Sequence, residues 1–217
     1  MRKSAPIRFG SIRARPPHAE AGQRIGLLGG SFNPPHAAHR LISQTALKRL
    51  RLDRIWWVVT PGNPLKAKGG LLPLEQRLRL CREVASDARI AVTAFEAGLP
   101  GAFTVGTLAF LVARYPRARF VWIMGADCLP QFHRWAQWRE IFRKLPIAVV
   151  DRPGLHLAAL SSPAAHAFAS ARLPETRAAG LADRRPPAWC LLTGPLMHVS
   201  STAIRGAPQS TVAKRQR

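Results

Sequence analysis

Cysteine and acidic residues are scarce in this sequence of 217 residues. The three cysteines, Cys81, Cys128 and Cys190, lie more than 45 residues apart, which excludes a disulfide framework and a CxxC metal site and favours a reducing compartment. Only 11 residues are Asp or Glu against 33 Lys and Arg, so the formal charge is +22. Such a charge is typical of proteins that bind nucleic acid, anionic membranes or phosphate-bearing ligands. Because 27 of the basic residues are Arg and 6 are Lys, a codon bias explains the charge equally well.

Long hydrophobic runs are also missing. The longest uncharged stretch, residues 153–171, contains Pro163, two His and several Ser, which argues against a membrane span. Arg2 and Lys3 are not followed by an apolar region, so no secretory signal is predicted and we expect a cytoplasmic protein. Residues 1–23 faintly resemble an organelle transit peptide, but we interpret them as a basic, disordered arm. The expected organisation is this arm, one domain over residues 24–206, and a polar, basic tail over residues 207–217.

Six short apolar runs alternate with helical patterns. They occupy residues 24–29, 55–60, 89–94, 119–124, 146–150 and 188–193. Each run is apolar on both faces, as strands buried in a parallel sheet are. The first five begin 31, 34, 30 and 27 residues apart, which is the length of a βα unit. The expected fold class is therefore α/β, with a doubly wound, Rossmann-like and mostly parallel sheet and helices on both of its faces.

Helical periodicity is clearest in two of the intervening segments. It predicts one apolar face formed by Ala38, Leu41, Ile42 and Thr45. It predicts a second apolar face formed by Val105, Leu108, Ala109 and Val112. Residues 151–187 break the rhythm with several Pro and Gly, and they predict a helix plus a surface loop.

The segment after the first strand, residues 29–39, carries the strongest chemical signal. It reads GGSFNPPHAAH and leads into an amphipathic helix. Glycines allow a ligand to approach the backbone, and a helix N-terminus attracts anions. His36 and His39 are three residues apart, which favours hydrogen-bond donation to phosphate. A zinc site and a purely structural capping or packing pair are the alternatives.

Four ordered segments resemble the nucleotidyltransferase superfamily in its nicotinate-nucleotide adenylyltransferase form. The first is residues 29–39, similar to the GG(S/T)F(D/N)PxHxxH signature. The others are PGNPLK at residues 61–66, MGAD at residues 124–127 leading into LPQFHRW, and SSTAIR at residues 200–205, similar to SSTxIR. Together they span nearly the whole predicted domain.

The resemblance implies adenylyl transfer from ATP to nicotinate mononucleotide, giving nicotinate adenine dinucleotide and pyrophosphate in NAD biosynthesis, with Mg²⁺. It implies three catalytic residues, His39, His36 and Arg205. It implies an ATP site formed by Gly29, Gly30, Ser31, Phe32, His36, His39, Gly125, Asp127, Ser201, Thr202 and Arg205. Asp127 would bind the ribose hydroxyls, and the segment that begins at Ser201 would hold the β- and γ-phosphates.

The resemblance also implies a pocket for the acceptor mononucleotide. Its residues would be Asn33, Lys66, Thr104, Trp135 and Trp138. Trp135 would stack on the pyridine ring, with Trp138 as a second candidate, and Thr104 would meet the carboxylate. Phe103 stands where Tyr is frequent in the family, so a hydroxyl contact there is in question.

Several alternatives stay open at this stage. One is an adenylyltransferase that prefers nicotinamide mononucleotide or another small substrate. The pantetheine-phosphate adenylyltransferases are shorter, and Trp135 and the SSTAIR segment argue against them. A basic nucleic-acid-binding protein is the alternative of a different class, supported by charge alone. No membrane partner is expected, and a homo-oligomer is compatible with the sequence.

Overall fold

The computed structural model describes residues 8–9, 12–13, 15–62, 70–100 and 103–195. Its centre is one sheet of six strands: β1 (Arg24–Gly30), β2 (Arg54–Val59), β3 (Ile90–Thr93), β4 (Arg119–Gly125), β5 (Ile147–Val150) and β6 (Trp189–Leu192). All neighbouring strands are parallel, in the order β3-β2-β1-β4-β5-β6. The doubly wound α/β prediction and all six predicted strands are confirmed.

Helices cover both faces of the sheet. They are α1 (Ala37–Arg49), α2 (Leu74–Val84), α3 (Thr104–Arg114), α4 (Trp138–Lys144), α5 (His156–Leu160) and α6 (Pro163–Ala167). Short 3₁₀-helices occupy Phe95–Gly98, Leu129–Arg134, Ala169–Ala171 and Glu175–Asp183. Within the described ranges, no helix combines the length and the apolar composition that crossing a membrane requires.

The core has two layers because side chains alternate along each strand. The neighbours Trp56 and Trp57 illustrate this: Trp56 packs in the layer that contains α3 and α4, and Trp57 in the layer that contains α1 and α2. Both tryptophans are fully buried. Strands that are apolar at every position are therefore required here, since both faces of the sheet are covered.

Two expectations about helices need correction. The first concerns α3, whose buried residues are Thr107, Leu108 and Leu111, whereas Ala109 and Val112 of the predicted apolar face are exposed. The polar Thr107 turns inward because its hydroxyl donates to the buried carboxyl group of Glu96, 2.6 Å away. A hydrogen-bond partner from another element thus overrides the apolar periodicity.

The second correction concerns residues 151–187. They form two short α-helices and two 3₁₀-helices rather than a helix and a surface loop. Phe168 packs in the layer of α3 and α4, stacking on Phe142 at 4.2 Å, and Leu181 packs in the opposite layer. This segment therefore completes the core on both faces of the sheet.

The predicted domain limits at residues 24 and 206 remain predictions. Ahead of the sheet, Arg8–Phe9 and Ile12–Arg13 pair as two antiparallel strands. Nearer the domain, the Tyr115 hydroxyl donates to the Pro17 carbonyl oxygen at 2.8 Å, and the Gly22 amide donates to the Arg117 carbonyl oxygen at 2.8 Å. Residues 15–23 therefore contact the end of α3 and the turn that follows it.

Candidate active site

The carboxyl end of β1 is the topological switch point of the sheet. β1 pairs with β2 on one side and with β4 on the other. The strands that follow β1 in the chain are therefore added first on one side of β1 and then on the other. In sheets of this kind, ligands bind beyond the carboxyl ends of the strands at that point. Residues 31–36 connect β1 to α1 here, and the Thr60 amide after β2 donates to the Gly30 carbonyl oxygen at 3.0 Å. The strongest sequence motif therefore lies where the fold favours a ligand.

Phe32 packs against His39 from the buried side of the site. It is fully buried and has a positive φ of 45°, a conformation that costs energy for a residue with a Cβ. Its ring stacks on Trp57 at 5.1 Å and lies 4.7 Å from the His39 ring. The Phe32 side chain therefore connects the His39 ring to the buried Trp57. Its predicted contact with ATP remains a prediction.

His39 combines a capping role with a defined tautomer. The His36 backbone amide donates to His39 Nδ1 at 3.2 Å, and the two imidazole rings lie 3.9 Å apart. Since Nδ1 accepts this hydrogen bond, the neutral imidazole carries its proton on Nε2. His39 therefore presents an N–H donor on the nitrogen opposite the cap, which suits a contact with a phosphate oxygen.

His36 is neutral at physiological pH. It is the N-cap residue of α1 and only 6% exposed. Burial, and next the positive charge of Arg152, lower its pKa from 6.5 to about 4, while Asp127 acts in the opposite direction. His36 is therefore a neutral hydrogen-bonding group, and the positive charge in its surroundings comes from Arg152.

The low pKa of His36 predicts a loss of stability in mild acid. Because the folded pKa of about 4 lies below the unfolded 6.5, the unfolded chain binds more protons between these values. Stability from this group is complete above pH 6.5 and declines toward pH 4, by about 3 kcal/mol in total. Chemical denaturation of the wild type and His36→Asn across this pH range measures it. Asn is chosen because it is a favoured N-cap residue. The pH dependence that comes from carboxylates is the same in both proteins and cancels in the comparison. Parallel pH profiles would contradict the prediction.

The exits of β4 and β5 bring a carboxylate and a guanidinium next to His36. Arg152 Nη1 lies 3.1 Å from Asp127 Oδ2, and the Arg152 side chain is 14% exposed against 43% for Asp127. A Cβ on Gly125 would lie 2.4 Å from Asp127 Oδ1 and 3.2 Å from Arg152 Cδ. Glycine at position 125 therefore makes room for this ion pair. The structure brings together three residues of the predicted ATP site, His36, Gly125 and Asp127, and their contact with ATP remains a prediction.

Gly29 has a packing role. A Cβ at this position would lie 2.3 Å from the ring of Trp122, a rigid buried side chain on β4. The requirement for glycine here is therefore the close approach of Trp122. The predicted contact of Gly29 with ATP is a separate matter and remains a prediction.

Trp135 is placed between the site and the core. It follows the 3₁₀-helix Leu129–Arg134, is half-buried, and contacts Phe132 at 4.9 Å and Trp122 at 6.4 Å. Because Trp122 lies against Gly29, Trp135 is one side chain away from the β1 exit. Trp138 instead packs edge-on against Phe142 and Phe168. These contacts favour Trp135 over Trp138 as the stacking residue.

Asn33 connects two loops at the edge of the site. Its side-chain amide donates to the Gly70 carbonyl oxygen at 2.8 Å, and its side-chain oxygen accepts from the Leu72 amide at 3.1 Å. These bonds give Asn33 a role in holding the two loops together, and its contact with substrate remains a prediction.

Thr104 is the first residue of α3, as predicted, and is half-buried. Lys66, Ser201, Thr202 and Arg205 lie outside the described residues, so their assigned roles remain predictions.

Three charged residues near the site were not singled out from the sequence. They are Arg152, Arg77 and Glu96. Arg152 and Glu96 come shortly after the β5 and β3 strand ends, where polar residues meet at one edge of a parallel sheet. Arg77 lies beside Leu78 on α2 and is 1% exposed. The sequence pattern that could have identified Arg77 is its position within an otherwise apolar helical face.

The sheet order and the switch-point site are those of the Rossmann-like α/β class. The chain matches the model of the cytidylyltransferase-like family over residues 27–207. A probable nicotinate-nucleotide adenylyltransferase of Methylorubrum extorquens is 58% identical over 182 residues, covering 84% of this chain and 98% of the relative. A protein of Rhizobium johnstonii with the same description is 52% identical over 198 residues, covering 91% of this chain and all of the relative. The chain therefore belongs to the cytidylyltransferase-like family and, within it, to the nicotinate-nucleotide adenylyltransferases.

A solved structure has a similar fold at much lower sequence identity. It is the Plasmodium falciparum nicotinic acid mononucleotide adenylyltransferase complexed with NaAD, with a TM-score of 0.63 and 16% identity. The match covers 84% of this chain and 82% of that chain. At this identity the likeness concerns the arrangement of strands and helices alone.

Proposed function

We propose that this chain transfers the adenylyl group of ATP to nicotinate mononucleotide and releases pyrophosphate. A phosphate oxygen of the mononucleotide attacks the α-phosphorus of ATP, and the bond from that phosphorus to the bridging oxygen of pyrophosphate breaks. The attacking phosphate has a second pKa of about 6 and is largely dianionic at pH 7, so it needs no general base. The site must instead align two anions and stabilise charge at the α-phosphate.

The observation that carries the proposal is the donor set at the β1 exit. His39 offers Nε2–H, because its Nδ1 is engaged by the His36 amide, and Arg152 places a positive charge beside His36. These groups suit the α-phosphate and its neighbours. Asp127 would bind the ATP ribose, and Arg152 holds that carboxylate in place at 3.1 Å. In the same proposal, Ser201, Thr202 and Arg205 hold the pyrophosphate portion and Lys66 a substrate phosphate.

Magnesium enters this proposal as part of the Mg-ATP substrate. Mg²⁺ retains several waters and commonly binds through substrate phosphates with one or two carboxylates. Over the ranges that the structure describes, no three His, Cys, Asp or Glu side chains are grouped so as to hold a metal ion.

One assay tests the proposed function directly. Pyrophosphate release is measured with Mg-ATP and nicotinate mononucleotide, nicotinamide mononucleotide or phosphopantetheine, and the dinucleotide product is identified by mass. Stoichiometric pyrophosphate and nicotinate adenine dinucleotide are expected with the first acceptor. Binding of the chain to nucleic acid with no transfer to any mononucleotide would favour the basic nucleic-acid-binding alternative. The salt dependence of binding, with and without ATP, identifies that case.

Trp135 provides a test of the acceptor pocket. A stacked aromatic ring contributes about 1–3 kcal/mol per base, so Trp135→Ala is expected to weaken nicotinate mononucleotide by that amount. ATP binding should change little, and Trp135→Phe should recover part of the loss. Affinities for both substrates are measured by calorimetry, with an unreactive ATP analogue, together with the melting temperature.

Trp138→Ala is the comparison for this test. Because Trp138 packs on Phe142 and Phe168, its removal should mainly lower thermal stability. If Trp135→Ala instead weakens both substrates together and lowers the melting temperature as much as Trp138→Ala, Trp135 is a core residue.

A further inference from the structure

The side chain of Arg77 is buried, and its guanidinium group donates four hydrogen bonds to backbone carbonyl oxygens. The acceptors are Leu72 at 2.8 Å, Ser31 at 2.7 Å, Thr60 at 2.7 Å and Pro61 at 3.2 Å. Ser31 belongs to the connection from β1 to α1, and the other three acceptors belong to the connection from β2 to α2. One planar group with fixed donor directions therefore joins two loops.

Asn33 forms a second link between the same two loops. Its side-chain amide donates to the Gly70 carbonyl oxygen at 2.8 Å, and its side-chain oxygen accepts from the Leu72 amide at 3.1 Å. The backbone of Leu72 is therefore held at both of its polar groups, because Asn33 bonds the amide and Arg77 bonds the carbonyl oxygen. We call Arg77 and Asn33, with these hydrogen bonds, the loop clamp.

Phe32 lies between the two residues at which the loop clamp holds the connection from β1 to α1. Its positive φ of 45° is unfavourable for a residue with a Cβ, and such a conformation persists where the surrounding contacts hold it. The loop clamp acts on both of its neighbours, Ser31 and Asn33. The Phe32 ring lies 4.7 Å from the His39 ring, so the position of Phe32 also determines how His39 packs.

We propose that the loop clamp positions His39 for catalysis by holding Phe32 and its neighbours against the connection that precedes α2. The clamp rests on the proposed function, because His39 acts on ATP only in that reaction. Arg77 and Asn33 are positioning residues in this proposal, since they act through Phe32. Alignment of His39 matters because a displacement of about 1 Å can reduce the rate about a hundredfold.

Arg77→Lys and Asn33→Leu test the loop clamp. Lys keeps the positive charge but lacks the planar fork, and Leu removes both hydrogen bonds of Asn33. Each variant should lower kcat per folded protein at least tenfold, with the KM of each substrate changed less than threefold. Amide hydrogen exchange of residues 31–39, measured by mass spectrometry, should become faster in both. If Asn33→Leu raises the KM of a substrate while kcat and exchange match the wild type, Asn33 is a substrate contact and the clamp is overturned.

A double-mutant cycle shows whether the loop clamp acts through His39. Arg77→Lys should lower kcat at least tenfold in the wild type but less than twofold in a His39→Ala background, because the group that it positions is then missing. Equal factors in the two backgrounds would overturn the clamp. Wild-type kcat in His39→Ala would also overturn it, since no catalytic group would remain for the clamp to position.

Two further variants separate the loop clamp from effects of charge and stability. Arg79→Lys makes the same change at an exposed position of α2, and Leu181→Ala removes a buried side chain from the segment before β6. Both should keep kcat per folded protein within twofold of the wild type, although Leu181→Ala lowers the melting temperature. If Leu181→Ala lowers kcat as much as Arg77→Lys, the clamp is overturned while transfer by the wild type stands. A wild type without transfer would overturn the clamp and the proposed function together.

Discussion

Replacing His39 with alanine is expected to lower kcat at least a hundredfold, with much smaller changes in KM. In the proposed reaction, the Nε2–H donor of His39 would face the charge that grows at the α-phosphate in the transition state, whereas both substrates are already anionic when they bind. Removing one such donor typically costs a factor of about 10²–10³ in rate. Because the interaction strengthens mainly in the transition state, the loss should appear in kcat.

Two amide variants separate the catalytic role of His39 from its capping role. Asn places a carbonyl oxygen near the position of Nδ1, so His39→Asn should keep the hydrogen bond from the His36 amide. Its melting temperature should therefore match the wild type, while its kcat should fall. Gln extends its NH₂ group toward the position of Nε2, so His39→Gln should retain more activity than His39→Asn. His166→Ala, on the exposed side of α6, is the control. If kcat follows the melting temperature across the series, His39 is a structural cap.

Nicotinate mononucleotide is expected to be preferred over nicotinamide mononucleotide by tenfold to several thousandfold in kcat/KM. The two acceptors differ by a carboxylate against a neutral amide. The proposed acceptor pocket is at the N-terminus of α3, whose first turn contains no acidic residue, and Thr104 would add a hydroxyl donor. Charge-assisted hydrogen bonds contribute about 1.5–3 kcal/mol each, and an amide would oppose its own N–H donors to those of the helix.

The acceptor preference is measured as kcat/KM for both mononucleotides at fixed Mg-ATP and physiological salt. Salt matters because the +22 charge adds a long-range attraction for anions that ions screen. Thr104→Val should reduce the preference about tenfold, by removing one donor, and leave the nicotinamide reaction nearly unchanged. Equal values for the two mononucleotides in the wild type would remove the basis for placing the carboxylate at α3.

The fold was largely predictable from local patterns. Strands buried on both faces must be apolar throughout, so runs such as IWWVV identify β2 without reference to the rest of the chain. The site at the β1 exit was predictable for a related reason, since glycines and histidines follow a buried strand directly. The buried face of α3 was not predictable, because the partner of the inward-facing Thr107 hydroxyl is Glu96, a residue of another element.

The sequence by itself determined the six strands, their α/β order and the position of His36 and His39 at the start of α1. These features depend on the hydrophobic effect and on backbone preferences, which act over a few neighbouring residues. Only the tertiary structure decided that His36 is neutral, that Arg152 pairs with Asp127, and that Arg77 joins the loops after β1 and β2. Those properties arise from burial and from partners tens of residues away, which approach each other only when the parallel strands bring their carboxyl ends to one edge.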